Sequence, residues 1–162
     1  DLQATTFRAA PTFVRLMSSR SGAMAIELNP MPSLAEGPVA VAIVPLPVAP
    51  EDFRLAHKTS DRGFYDEARG AAGTFEVLFR DRDGFLTEGS FTNLFVERGG
   101  VLLTPPLSRG LLPGVLRERL IEEGRAREAD LKAVDLAGGF LIGNSVRGLM
   151  PALLVSRRGP DS

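Results

Sequence analysis

The stretch Thr74–Ser90, "TFEVLFRDRDGFLTEGS", decides how the chain is read. Phe75, Val77 and Phe79 alternate with their neighbours, the period of a strand whose two faces meet different surroundings. Asp83-Gly84 is a hairpin turn signal, since tight hairpins need positive φ at a position that glycine fills without strain. The chain then returns through Phe85 and Leu86. Asn93–Pro106, "NLFVERGGVLLTPP", repeats this design with Gly99-Gly100 at the turn. Two successive hairpins predict an antiparallel sheet.

Upstream, "TFVRLMSS" (12–19), "AMAIELNP" (23–30) and "PVAVAIVPL" (38–46) read as three further strands, punctuated by Ser-Gly, Pro and Gly. "VAPEDFRLAHKTSD" (48–61) reads as a linker. "GFYDEARGAA" (63–72) follows as a helix with Phe64, Ala68 and Ala71 on one stripe, closed by Gly73. Downstream, "LPGVLRERLIEEG" (112–124) is the clearest helix. Pro113 stands at its start, Leu112, Leu116 and Leu120 repeat every four residues, and Gly124 ends it. "GFLIGNSVRGLMPALLV" (139–155) predicts two buried strands joined by a Gly-Asn-Ser loop. No internal repeat is visible. The fold class is α+β with substantial antiparallel sheet.

Composition narrows the chemistry. The 162 residues carry a net charge of −1, which argues against nucleic acid or an anionic membrane as partner. With no cysteine and one histidine, His57, thiolate metal sites, disulfides and a histidine-ligated metal are not expected. No Gly-x-Ser-x-Gly elbow accompanies that histidine. The longest apolar run, "PVAVAIVPLPVAP" (38–50), is short for a bilayer and broken by prolines. "DLQATTFRAAPTF", at the N-terminus, lacks the basic-then-apolar layout of a signal peptide and begins without Met. The expectation is a soluble, cytoplasmic protein and a chain cut from a longer one.

Four features could carry chemistry, and each also fits a plain structural role. Lys58 is one of two lysines among 19 basic residues, the other 17 being arginines. A solvated surface lysine is the ordinary reading; an amine that must lose its proton and form an imine is a role that arginine cannot fill. Glu88, at a strand end, is either surface decoration or a carboxylate held against a cationic ring nitrogen. Asn93 in the same motif fits satisfaction of backbone groups in the turn. "LLPGVLR" (111–117) places Gly114 before a helix start, where the free N–H groups of Val115 and Leu116 could seat a phosphate. In "GNSVRG" (143–148), Ser145 could donate to a phosphate and Arg147 could pair with a carboxylate.

Taken in this order, these pieces resemble the class IV, or fold type IV, pyridoxal-phosphate enzymes. That family includes branched-chain and D-amino-acid aminotransferases and 4-amino-4-deoxychorismate lyases. The match runs through Lys58 in "HKTSDR", Glu76–Val96, Leu102–Arg117 and "GNSVRGLMPA" (143–152). The resemblance implies pyridoxal phosphate as cofactor and Lys58 as its Schiff-base lysine and acid/base. Glu88 then partners the pyridine nitrogen, Gly114, Val115, Leu116 and Ser145 hold the phosphate, and Tyr65 touches the ring. Tyr65 stands two positions from where the family's tyrosine falls, and Leu116 replaces a threonine common in aminotransferases. Arg62, Asn144 and Arg147 are the implied substrate-binding residues.

"NSVRGLMP" and "KTSDRGFYDEAR" resemble the lyase branch, which some bacteria fuse behind a chorismate-aminating synthase. The implied reaction converts 4-amino-4-deoxychorismate to 4-aminobenzoate and pyruvate, in folate biosynthesis. The implied partners are a small-molecule substrate, a second copy in a homodimer, and that synthase. An aminotransferase of the same family is the first alternative; a truncated, non-catalytic domain is the second. Residues 1–50 are expected to be the remainder of a small N-terminal α/β domain, and 51–162 the large cofactor-binding domain, a mostly antiparallel pseudo-barrel with packed helices. The family's earlier arginine for the phosphate, and the lyases' catalytic threonine, are expected to precede Asp1.

Overall fold

A computed structural model of the chain describes residues 11–33 and 35–155. The chain divides into two compact units, Asp1–Leu34 and Ala35–Ser162. In the first, β1 (Thr12–Ser18) and β2 (Met24–Pro30) form an antiparallel hairpin with Thr12 opposite Pro30 and Ser18 opposite Met24. Gly22, at φ +84°, makes the turn that other residues enter with strain.

The second unit holds β3 (Val39–Pro45), β4 (Glu76–Arg80), β5 (Leu86–Gly89), β6 (Asn93–Arg98), β7 (Val101–Thr104), β8 (Ala126–Glu128), β9 (Phe140–Asn144) and β10 (Gly148–Leu154). Its helices are α1 (Phe53–Ala56), α2 (Gly63–Ala72) and α3 (Val115–Glu122). The strand order is β5-β4-β3-β10-β9-β6-β7-β8, and β5 also pairs with β6. That last pairing, Glu88 opposite Asn93, closes six strands into a barrel and leaves β7 and β8 as an extension of β6.

Alternation along the strands divides the apolar residues between two faces. Val41, Leu78, Leu86, Leu94, Ile142 and Met150 form one buried cluster, the barrel interior. The intervening residues point outward under helices. Val44, Val77 and Phe79 pack with Leu55 of α1 and Tyr65 of α2, while Phe95 packs with Leu120 of α3. Among the described residues no helix is long and apolar enough to cross a membrane.

Both predicted hairpins form, and α2 spans 63–72 with Gly73 left-handed at its C-cap. Three details differ from the sequence reading. The run 38–46 is not part of a small domain: β3 pairs in parallel with β4 on one side and β10 on the other, so the units divide at 34/35 rather than after 50. A strand paired on both edges is locked into that sheet. The supposed linker contains α1, capped by Asp52, whose carboxylate accepts from the Arg54 N–H at 2.9 Å. Helix α3 begins at Val115 with Gly114 as N-cap, which leaves Leu112 outside it. Residues 1–10 of the expected small domain lie outside the described residues.

Candidate active site

Simple alternation would put Glu88 on the same face as Leu86, inside the barrel. Between the pairs Leu78–Gly89 and Arg80–Leu86 the register slips, so Thr87 and Glu88 together oppose Phe79. This is a β-bulge, and a bulge re-aims the side chain that follows it. Thr87 is buried with its hydroxyl on the Phe79 carbonyl at 3.4 Å, and Glu88 turns to the outer face, directly across from Asn93.

There the Glu88 carboxylate is 3% exposed and meets donors from two elements. The Tyr65 hydroxyl of α2 donates to Oε1 at 2.5 Å, and the Leu112 N–H, ahead of α3, donates to Oε2 at 3.1 Å. The Arg62 guanidinium stands 4.0 Å from Oε1 and 4.1 Å from the Tyr65 ring centre. Burial pushes the Glu88 carboxyl up to about 7, and the charge of Glu76 adds to the rise; the Tyr65 hydroxyl, the Leu112 N–H and Arg62 pull the other way. Tyr65, buried beside this carboxylate, is pushed well above the ordinary phenol value, chiefly by burial. It therefore acts as a neutral donor.

Asn93 carries the site toward α3. Its amide donates to the Leu112 carbonyl at 3.2 Å, so it satisfies a backbone group across the site rather than in its own turn. Its Oδ1 lies where a Gly114 Cβ would stand, at 2.0 Å, so only glycine fits this N-cap. Among the described residues no side chain caps α3, and its first N–H groups are left without intrahelical partners. Leu116 reaches the next strand: its Cδ2 lies 3.0 Å from where a Gly143 Cβ would be. Val115 is exposed.

Asn144, at the end of β9, shapes the remaining wall. Its Oδ1 accepts from the N–H groups of Val146 and Arg147, and its amide donates to the Phe91 carbonyl at 3.0 Å. The Arg147 guanidinium stands 5.6 Å from the ring centres of both Phe75 and Phe91, which meet edge to face. Ser145 sits exposed in the β9–β10 turn.

Lys58 is exposed in the segment between α1 and α2, and no side-chain partner for it is found among the described residues. The segment itself is held at both ends. Arg54 pairs with Asp52 at 2.7 Å and Asp61 at 3.2 Å, and Arg62 donates to the Arg54 carbonyl at 3.3 Å. The Arg54 guanidinium holds Asp52 down at about 2. Arg62 thus joins the Lys58 segment to Glu88. Of the predicted residues, the fold brings together Arg62, Tyr65, Glu88 and Gly114, with Leu116 one strand further on. Among the described residues no contact joins Lys58, Ser145 or Arg147 to them.

Two residues escaped the sequence reading: Leu112, whose N–H meets Glu88, and Glu76. Glu76, at the start of β4, has no exposed surface, and its carboxylate accepts from Val77, Ser90, Phe91 and Thr92. A charged residue inside the apolar run "TFEVLF" was the available signal.

Comparisons with known proteins agree with this architecture. The model of the family "Amino-transferase class IV" matches residues 2–155. A Schizosaccharomyces pombe protein named "Putative aminodeoxychorismate lyase" is 29% identical over 153 residues, covering 88% of this chain and 66% of its own length. A Methanocaldococcus jannaschii "Putative branched-chain-amino-acid aminotransferase" is 36% identical over 64 residues, 40% of this chain and 22% of that protein. The chain therefore spans less than two thirds of the curated relatives it matches. Among solved structures, a "Putative amino-acid aminotransferase" from Mesorhizobium loti superposes with a TM-score of 0.82 at 38% identity, over 89% of this chain and 73% of that one. The α+β, fold type IV expectation thus stands. A match across nearly the whole chain places it in the class IV amino-transferase family, whose cofactor is pyridoxal phosphate.

Proposed function

We propose that the chain forms the catalytic unit of a pyridoxal-phosphate lyase that converts 4-amino-4-deoxychorismate to 4-aminobenzoate and pyruvate. The observation that carries the cofactor part is Glu88: a buried carboxylate with two neutral donors and a barely engaged arginine. Such a group favours a cation beside it, and a protonated ring nitrogen there would hold it ionised. The uncapped start of α3, with Gly114 fitted against Asn93, suits a phosphate. The residues present therefore fit the group.

Pyridoxal phosphate supplies an electron sink for the carbon that bears the substrate amine. Lys58 would anchor the cofactor through its amine and, once displaced by substrate, take the proton from that carbon. It can return a proton to the departing enolpyruvyl group, so no co-reactant is needed. Glu88 would keep the ring nitrogen protonated, with Tyr65 and the Leu112 N–H fixing its carboxylate. The N–H groups of Val115 and Leu116, with the Ser145 hydroxyl, would bind the phosphate. Arg62, Asn144 and Arg147 would receive the substrate carboxylates. A homodimer in the cytoplasm, working with or fused to a chorismate-aminating synthase, belongs to the same reading and rests on the resemblance to the lyase branch.

Lyase chemistry is supported by the S. pombe relative, which aligns over 88% of the chain, whereas the M. jannaschii aminotransferase aligns over 40%. Transamination is the second reading, favoured by the M. loti structure at 38% identity. Offering the protein aminodeoxychorismate, and separately a D- or branched-chain amino acid with 2-oxoglutarate, separates them. The lyase reading expects 4-aminobenzoate and pyruvate in equal amounts; transamination with no pyruvate from the first substrate would overturn it. Borohydride reduction after incubation with pyridoxal phosphate should label the Lys58 peptide, and Lys58→Ala should abolish that label.

A further inference from the structure

Glu88 and Asn93 owe their separation to the turn between them, and that turn is built around one buried carboxylate. Glu76 Oε1 accepts from the N–H groups of Val77 and Ser90, each at 2.9 Å, and from the Ser90 hydroxyl at 2.6 Å. Its Oε2 accepts from the Phe91 N–H at 3.1 Å and the Thr92 hydroxyl at 2.9 Å. The Gly89 N–H donates to the Thr92 carbonyl at 2.7 Å, closing the turn beneath the carboxylate. The contact is close enough to dictate sequence: a Cβ on Gly89 would stand 2.5 Å from Thr92 Oγ1 and 2.7 Å from Glu76 Oε2. On the far side, Asn144 takes the Phe91 carbonyl.

Each residue from Gly89 to Thr92 is therefore tied by its backbone or side chain to Glu76 or to a partner beside it. The strand pairs formed by Glu88 and Asn93 flank this turn directly. Unlike Glu88, Glu76 has its acceptor positions filled from within the chain, which leaves none for a ligand.

We propose that Glu76 is the positioning residue of the site: by fixing the Gly89–Thr92 turn it sets Glu88 against Tyr65 and Leu112, and Asn93 against Gly114. This rests on the cofactor reading only for its effect on binding; its effect on geometry is independent of it. Gln at 76 keeps the size but offers an amide N–H₂ where two donors now point. The Phe91 N–H cannot reverse its polarity, so the turn must shift.

The test uses the full chain and two readouts: pyridoxal phosphate affinity, and hydrogen exchange of the Leu112 amide relative to core amides of β6. Glu76→Gln should weaken the affinity at least about tenfold and speed Leu112 exchange by a similar factor. Leu136→Ala, a cavity in the barrel interior, lowers the melting temperature and should change neither by more than about twofold. Leu112 exchange unchanged in Glu76→Gln, or shifted equally in Leu136→Ala, would overturn the proposal. Should Glu76→Gln not fold, Thr92→Val removes one donor and carries the same test, with an expected change of about threefold; no change there overturns it as well. If the unaltered protein takes up no pyridoxal phosphate, the cofactor reading fails while the exchange arm still decides the role of Glu76.

Discussion

Glu76 and Glu88 stand twelve positions apart on neighbouring strands, both buried, yet their surroundings differ in kind. Around Glu76 two backbone N–H groups of the turn, two hydroxyls and its neighbour's N–H converge, so desolvation is offset within the chain. Glu88 has one hydroxyl, one N–H and an arginine at 4.0 Å, and burial leaves it pushed up to about 7. A saturated buried carboxylate holds structure; an unsaturated one has capacity for a cation. The difference separates a carboxylate consumed by the fold from one still open to a partner.

The sharpest break of that comparison is Glu76→Ala. It leaves the N–H groups of Ser90 and Phe91 without their acceptor and should cost at least about 3 kcal/mol, measured by urea unfolding. A loss below about 1 kcal/mol would mean that the turn holds itself.

Glu88→Gln should act in the opposite sense and only at high pH. The folded carboxyl titrates near 7 against an ordinary 4.5, so the folded form binds its proton more tightly. The resulting stabilisation is complete below about 4.5 and is lost as pH rises through 7, on the order of 3 kcal/mol in all. Gln carries no such dependence. Without cofactor, the variant should match the parent near pH 5 and exceed it by about 2 kcal/mol at pH 8 in paired denaturation curves.

Gly89→Ala probes the Glu76 side by crowding rather than deletion. The new Cβ, at 2.5 Å from Thr92 Oγ1 and 2.7 Å from Glu76 Oε2, should cost about 1–3 kcal/mol alone and add little further loss when combined with Glu76→Ala. Additive losses in a double-mutant cycle would separate the two residues. The smallest expected effect is Tyr65→Phe, which removes one donor to Glu88 at a cost of about 1 kcal/mol. Because that hydroxyl lowers the Glu88 value, the pH-dependent loss of stability should also move to higher pH. A midpoint that stays in place would show that Tyr65 packs beside Glu88 without governing it.

Much of the scaffold was legible in short windows. Asp83-Gly84 and Gly99-Gly100 announce hairpins because a tight turn needs glycine's backbone freedom, and Gly73 ends α2 left-handed for the same reason. Lys58, Glu88 and the Gly114 helix start could be named from the motifs they share with the class IV family. Leu112 could not: a leucine in a helical stripe gives no hint that its N–H, ahead of the helix, will hold Glu88.

What the sequence determined by itself is local: strand and helix periods, turn chemistry and a family-bearing set of motifs. Tertiary structure alone inserted β3 between β4 and β10 in parallel, because that pairing joins segments tens of residues apart. It also decided which buried carboxylate is left short of donors. The bulge that takes Glu88 off the face of Leu86 arises from a register slip between β4 and β5, and no alternation along one strand encodes it. Satisfaction of a buried charge is likewise a sum over donors from separate segments, so Glu76 and Glu88 look alike until the chain has closed around them.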